Sequence, residues 1–330
     1  MKLRIAIITV ALSISLAGTG CNNHPAATTT TDTTQAKQVV LPEFNADSAY
    51  NYIATQVSFG SRVPGTPAQQ TCANWMRSKL QKVCDTVYTQ KTTVKGGDGK
   101  VMPCINLIGV IHPHATKRIL LLTHWDSRPW ADMDTKDKDK PILAADDGGS
   151  GVAVLIEIAN ILKTSPIPDN LGIDILLTDV EDYGRSEWGE DSYCLGTQYW
   201  ANNPHVPGYK ASFGILLDMV GAANARFPME GLSQQYAPAV QQNIWQAAVK
   251  AGYSSYFPFV NGPSITDDHL PVNKIANIPT VDIINLNESD SPFAPHWHTH
   301  NDNIQIIDKG TLKAVGQTLL QVIYDTAQPV

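Results

Sequence analysis

From Leu41 onward, short runs of consecutive apolar residues alternate with stretches whose apolar residues recur every three or four positions. The runs RILLLTHWD (118–126), IDILLTDVED (173–182), FGILLDMVG (213–221) and IPTVDIINLN (278–287) read as buried strands ending in polar turns. Between them, GGSGVAVLIEIANILKTS (148–165) places Val152, Leu155, Ile158 and Leu162 at helical spacing. AVQQNIWQAAVKAG (239–252) and KGTLKAVGQTLLQVIYDTA (309–327) follow the same rule. The earlier stretch 83–111 reads as a hairpin at the sheet edge, with GGDG (96–99) as its turn. Strand and helix patterns in alternation predict an α/β fold: an open, twisted, mostly parallel central sheet flanked by helices. No repeat or linker interrupts it, so residues 41–330 are expected to form one domain.

The polar residues cluster where such a sheet binds ligands, at the carboxyl ends of its strands. His124 and Asp126 end the first parallel run, Asp179, Glu181 and Asp182 the second, and Asp218 the third. Each group has an ordinary reading too. Asp146 and Asp147 before a Gly-rich turn suit helix capping. The three acids of TDVED suit a solvated loop, and Asp218 a surface turn. Adjacent carboxylates at a buried edge, however, need a cation or a proton to relieve their repulsion. The segment FAPHWHTHND (293–302) adds His296, His298 and His300 at alternate positions, which would share one face if the segment were extended.

This set of carboxylates with imidazole, which contains no sulfur, is one that Zn²⁺ takes, with three protein ligands and one open position in catalytic sites. The chain has neither a G-x-S-x-G elbow nor an H-E-x-x-H pair. The residues alone therefore indicate a metal-assisted hydrolase or transferase acting on a carbonyl. His112 and His114 read as a surface turn, DMDTKDKDK (132–140) as a solvated loop, and His269 as a support for Asp267. Trp130 suits either a pocket wall or a packed turn.

Composition changes the picture little. With 330 residues, 43% apolar and a formal charge of −7, the chain can bury a full core and is a poor partner for nucleic acid. The N-terminus changes it more. Lys2 and Arg4 lead an apolar run, too short for a stable span, that ends in LAGTGC at Cys21. Residues 1–20 read as a signal peptide resembling that of a bacterial lipoprotein, with Cys21 lipidated; ordinary signal cleavage is the alternative. The Thr-rich stretch over 21–40 reads as a flexible tether. Export to the periplasm, anchored to a bacterial membrane, follows as the expected location. It makes disulfides possible among Cys72, Cys84, Cys104 and Cys194, with no pairing favoured.

The same motifs resemble the zinc aminopeptidase clan, and within it the metal-dependent glutaminyl cyclases, from about Arg62 to Ile307. THWD, ADDGGSG, VED, LLDMVG and HTHNDN carry the clan pattern; HWDSRPWA, EWGEDSYCLG, ITDDHLP and SPFAPHWHT carry the cyclase pattern. The resemblance implies Asp147, Asp182 and His298 as ligands of one zinc ion per chain, and Glu181 as the general acid/base. It implies Asp218 and Asp267 as a hydrogen-bonded acid pair beside the substrate, and Trp188, Phe293 and Trp297 as aromatic walls. The implied reaction converts the N-terminal glutamine of peptides or proteins to pyroglutamate with loss of ammonia. Nothing in the sequence suggests an obligate interface, so a monomer is expected. The alternative is a two-zinc aminopeptidase, because His124, Asp147, Asp182, Asp218 and His298 fill all five of the clan's ligand positions. A metal-free binding lipoprotein fits least well.

Overall fold

The computed structural model describes residues 41–287 and 291–328. The expected signal peptide, Cys21 and the expected tether lie outside the described residues. Leu41–Val330 forms one compact unit. Two helices open it, α1 (Ala46–Ser58) and α2 (Pro67–Val83). Asn45 and Thr66 cap them by accepting the amides of Ser48 and Gln69, and Pro67 begins α2, where a missing N–H costs nothing. The hairpin follows as β1 (Thr86–Lys95) and β2 (Val101–Ile111), then β3 (Lys117–His124), α3 (Ser150–Thr164), β4 (Leu171–Thr178) and α4 (Leu195–Asn202). The chain continues through β5 (Phe213–Asp218), α5 (Gly231–Tyr236), α6 (Pro238–Lys250), the single turn α7 (His269–Pro271), β6 (Thr280–Ile284) and α8 (Lys309–Ala327).

The six strands form one sheet in the order β1-β2-β4-β3-β5-β6. The pairs β4–β3, β3–β5 and β5–β6 are parallel; the hairpin joins antiparallel at one edge, as its pattern predicts. Alternation along the strands divides the core in two. Ile119, Leu121, Ile175, Leu177, Ile215, Leu217 and Ile283 face the layer of α1, α2, α3, α6 and α8. Leu120, Leu122, Leu176 and Leu216 face the other side, under Trp200 of α4 and Val272. Burial on both faces explains why these strands read as unbroken apolar runs. Asp174 interrupts β4, and Arg118 meets it with a two-point pair at 2.6 and 2.8 Å. All four cysteines of the described residues are free thiols.

Candidate active site and metal centre

The parallel strands bring their last residues to one edge. His124 stands in register with Thr178, and Asp218 with Ile284. Beyond them the backbone turns sharply, with Val180 at φ +58° and Met219 at +48°. Ala144 and His298 lie in the same left-handed region, at +53° and +55°. That conformation is costly for any side chain, most of all for β-branched Val180. Buried carboxylates hold two of these turns. Asp126 accepts the amides of Glu181 and Asp182 at 3.0 and 3.2 Å. Asp302 does the same for Asp146 and Asp147, at 2.8 and 3.1 Å. Glycines just before α3 and in its first turn supply the clearance. A Cβ on Gly148 would stand 2.5 Å from the Asp126 carbonyl, and one on Gly151 would stand 2.2 Å from Thr123 Oγ1.

One narrow cleft of about 60 Å³ is lined by Asp147, Glu181, Asp182, Asp218, Asp267, Phe293, Trp297 and His298, with Tyr193, Ile265, Thr266 and Ile284. Eight of the nine side chains assigned from sequence to catalysis, metal and substrate therefore meet. A larger groove of about 390 Å³, between α6 and α8, contains Lys250 and Asp325 but no imidazole or thiol. Donor chemistry, not volume, identifies the site.

The donors suit a small cation. One donor atom each from Asp147, Asp182 and His298 lies within 4.8 Å of the others, all three residues being buried. His298 Nε2 is 3.3 Å from Asp182 Oδ1 and 3.7 Å from Asp147 Oδ2. Asp182 Oδ2 is buried with no hydrogen-bond partner, an atom that a metal would satisfy. Two carboxylates and one imidazole form a three-ligand set of the catalytic zinc kind. The electrostatics agree. Burial works against charge on Asp182, but His298 and Arg128 outweigh it and keep its carboxyl below its ordinary range. Burial likewise opposes a proton on His298, yet Asp182 draws one there: the anionic cradle attracts positive charge.

A second group, His124 with Asp147 and Asp218, has its donors equally close. Here His124 Nε2 is 3.0 Å from Asp147 Oδ1 and 3.3 Å from Asp218 Oδ1. The ring therefore bridges the two acids by itself.

Glu181 sits beside the cradle. Its Oε1 takes the Cys194 thiol at 3.4 Å, and burial pushes its carboxyl well above the ordinary range. Desolvation also raises Asp218, to about 6, and raises Asp267 well above its ordinary range, with Asp218 adding to the effect on Asp267. The hydrogen bonds of this acid pair fall differently from the expected link between them. Asp218 Oδ1 lies 3.3 Å from His124 Nε2, whereas Asp267 is a neighbour of Asp282 on β6. No donor among the described residues reaches either Asp282 oxygen or Asp267 Oδ2. Burial raises the proton affinity of both carboxyls, and the charge of Asp267 adds to the effect on Asp282. His269 backs this pair from behind. Its Nε2 is 3.3 Å from Glu230 and its Nδ1 is 3.9 Å from Asp282.

Three further expectations change. Trp188 does not line the cleft. The tight turns over 186–192 direct it onto Gly97 of the hairpin, against Trp130 and Tyr183, and Tyr193 stands in the wall instead. The histidine segment is a series of turns, so its rings diverge: His296 reaches Asp146 at 3.0 Å, His298 the metal cradle, and His300 Asp134 at 2.9 Å. The run 132–140 is only partly a solvated loop, because Asp132 and Asp134 reach His298 and His300. Asp126 stands out in the sequence as a strand-end acid, but not as the acceptor of the Glu181 and Asp182 amides; Arg128, Asp282 and Asp302 carry no pattern of their own. Apart from Asp132, four residues after Arg128, their partners at the site are distant in sequence.

The model of peptidase family M28 matches residues 106–323. The glutaminyl cyclase of Bacteroides thetaiotaomicron, solved with N-acetylhistamine, is 47% identical, with a TM-score of 0.84 over 87% of this chain and 99% of that one. A Zn-dependent exopeptidase from Parabacteroides distasonis is also 47% identical, with a TM-score of 0.84 over 87% of this chain and 100% of that one. Glutaminyl-peptide cyclotransferase of Gloydius blomhoffii is 25% identical over 290 residues, covering 78% of this chain and 75% of its own.

Proposed function

This chain belongs to peptidase family M28 and stands with its glutaminyl cyclases, and we propose that it works as a glutaminyl-peptide cyclotransferase. The observation that carries the reading is the placement of Glu181, a buried acid of raised proton affinity, beside the Asp147–Asp182–His298 cradle in a small aromatic cleft. Asp147, Asp182 and His298 hold one zinc ion per chain. When bound, the ion supplies Lewis acidity toward the γ-carboxamide carbonyl of an N-terminal glutamine.

The chain's own groups do the rest. The substrate's α-amine attacks its own side-chain carbonyl carbon, so the cleft needs to supply position more than nucleophilic power. Glu181 accepts a proton from that amine and delivers it to the departing nitrogen, a two-way role that a raised proton affinity favours. Asp267, whose proton affinity burial and the nearby Asp218 raise, holds the amide nitrogen. Phe293 stacks on Trp297 with centroids 4.1 Å apart, and Trp297 on His298 at 3.7 Å. With Ile265 and Tyr193, this wall keeps water from a reaction that consumes none. The products are a pyroglutamyl peptide and ammonia.

The alternative, a two-zinc aminopeptidase, would require a second ion among His124, Asp147 and Asp218. The glutaminyl cyclases among the relatives favour the one-ion reading. Purified protein is expected to contain about one zinc per chain, to release ammonia from Gln-Ala and to leave Leu-p-nitroanilide intact. Two zinc ions with rapid release of leucine would overturn the assignment.

The reading extends to place and partners. The basic start, apolar run and Cys21 support an exported periplasmic lipoprotein anchored by its lipid, and the Thr-rich stretch supports a tether below a single catalytic domain at 41–330. There the enzyme acts as a monomer on peptides or proteins that begin with glutamine, with no nucleic-acid partner.

A further inference from the structure

The loop after β3 grips the histidine segment at several points. Met133 N–H donates to the His298 carbonyl at 3.3 Å. Asp134 Oδ2 accepts the His300 amide at 2.9 Å and lies 2.9 Å from its Nδ1. Asp132 Oδ1 lies 3.5 Å from His298 Nδ1. Arg128 completes the grip from below. Its Nε and Nη2 donate to the two Asp132 oxygens at 2.7 and 2.6 Å, the side-on fork that guanidinium and carboxylate favour. Its Nη1 turns the other way, to Asp182 Oδ1 at 2.9 Å and to the carbonyls of Asp182 and Gly184 at 3.1 and 3.2 Å. Arg128 is buried, so this charge is committed to the two acids. One cation thus ties a carboxylate behind His298 to a carboxylate beside it.

We propose that Arg128 and Asp132 are positioning residues that fuse His298 and Asp182 into one preset unit, with Nε2 of the imidazole turned into the cradle. Asp132 holds the proton of His298 on Nδ1 and leaves Nε2 free, as a carboxylate behind a ligating imidazole does. Arg128 pins Asp182 Oδ1, the oxygen 3.3 Å from His298 Nε2, while no hydrogen bond among the described residues engages Oδ2. The grip also explains how His298 keeps its left-handed φ of +55°: Asp132, Met133 and the stacked Trp297 fix it on three sides. Without the clamp the imidazole would be free to take the other tautomer and to swing off the cradle.

The inference rests on reading His298 and Asp182 as metal ligands, and its test separates the two claims. In zinc-free protein, ¹⁵N spectra should show His298 protonated on Nδ1 whenever the ring is neutral. Asp132→Ala should lose that preference and weaken zinc binding, measured by chelator competition, about 10–100-fold. Asp132→Asn, which keeps an acceptor oxygen and the side-chain volume, should recover part of both effects and serves if the alanine variant does not fold. Arg128→Lys keeps charge without the fork and should also weaken binding. If His298→Ala leaves zinc affinity unchanged, the ligand assignment fails and the clamp falls with it. If His298→Ala loses zinc while the Asp132 variants keep both the tautomer and the affinity, the ligand assignment stands and the clamp is wrong.

Discussion

Glu181 and Asp182 are adjacent yet stand in opposite electrostatic surroundings. Arg128 and His298 flank Asp182 and hold it as a carboxylate, whereas Glu181 has only a weak thiol donor and a dry environment. Environment thus assigns metal binding to one and proton transfer to the other. Glu181→Gln should lower turnover about 10²–10⁴-fold, the usual worth of a general acid/base, while zinc content stays unchanged. Loss of zinc in that variant would reverse the division of labour. Glu181, Asp182 and Asp218 were legible from sequence as a group because each stands at or just beyond the end of an apolar strand on the same sheet edge, whereas the roles of Asp147, Asp267 and His298 came only with the family resemblance. Trp188 was not legible, because two tight turns reset which side chain faces the cleft, and turn geometry leaves no periodic trace. Arg128 and Asp182 are 54 positions apart, and only the folded sheet brings them together.

At the scale of elements, the best-read segments bury large aliphatic side chains. Helix α8 occupies the whole of its predicted range, and β3 to β6 begin and end within a few residues of theirs. Helices α1 and α2 escaped notice because their buried positions are mostly small or polar: Ala49, Gln56, Gln69, Cys72 and Ala73 among Ile53, Met76 and Leu80. Their caps, Asn45 and the Thr66–Pro67 pair, were the available signal. Helix α3 shows how element packing sets the site, since it starts against the strand ends that carry His124 and Asp218. Gly151→Ala would force a methyl into Thr123 Oγ1 and the Leu217 carbonyl. Chemical denaturation should show a loss of about 1–3 kcal/mol. A neutral result would mean that α3 has room to move at its N-terminus.

For the whole molecule, the price of gathering acids in a buried crevice is a dependence of stability on pH. A carboxyl whose proton affinity is raised by folding stabilises the native state while protonated and ceases to do so as pH rises. Glu157, buried on α3 away from the site with Tyr52 and Asn160, shows the effect apart from metal binding. Burial lifts it from 4.5 to about 7, against the hydrogen bonds of Asn160 and Tyr52. The folded state therefore binds more protons than the unfolded state between these values, and its stability falls across that window. Melting temperatures of Glu157→Gln should equal or exceed those of the parent above pH 7, with the gap closing toward pH 5. A gap that widened toward acid would contradict the sign.

The account as a whole turns on the fate of the substrate's first residue, which mass spectrometry of a reacted peptide reads directly. A peptide beginning with glutamine should lose the mass of one ammonia and keep every residue, and the same peptide beginning with leucine should emerge unchanged. A product shorter by its N-terminal residue, from either peptide, would contradict the assignment.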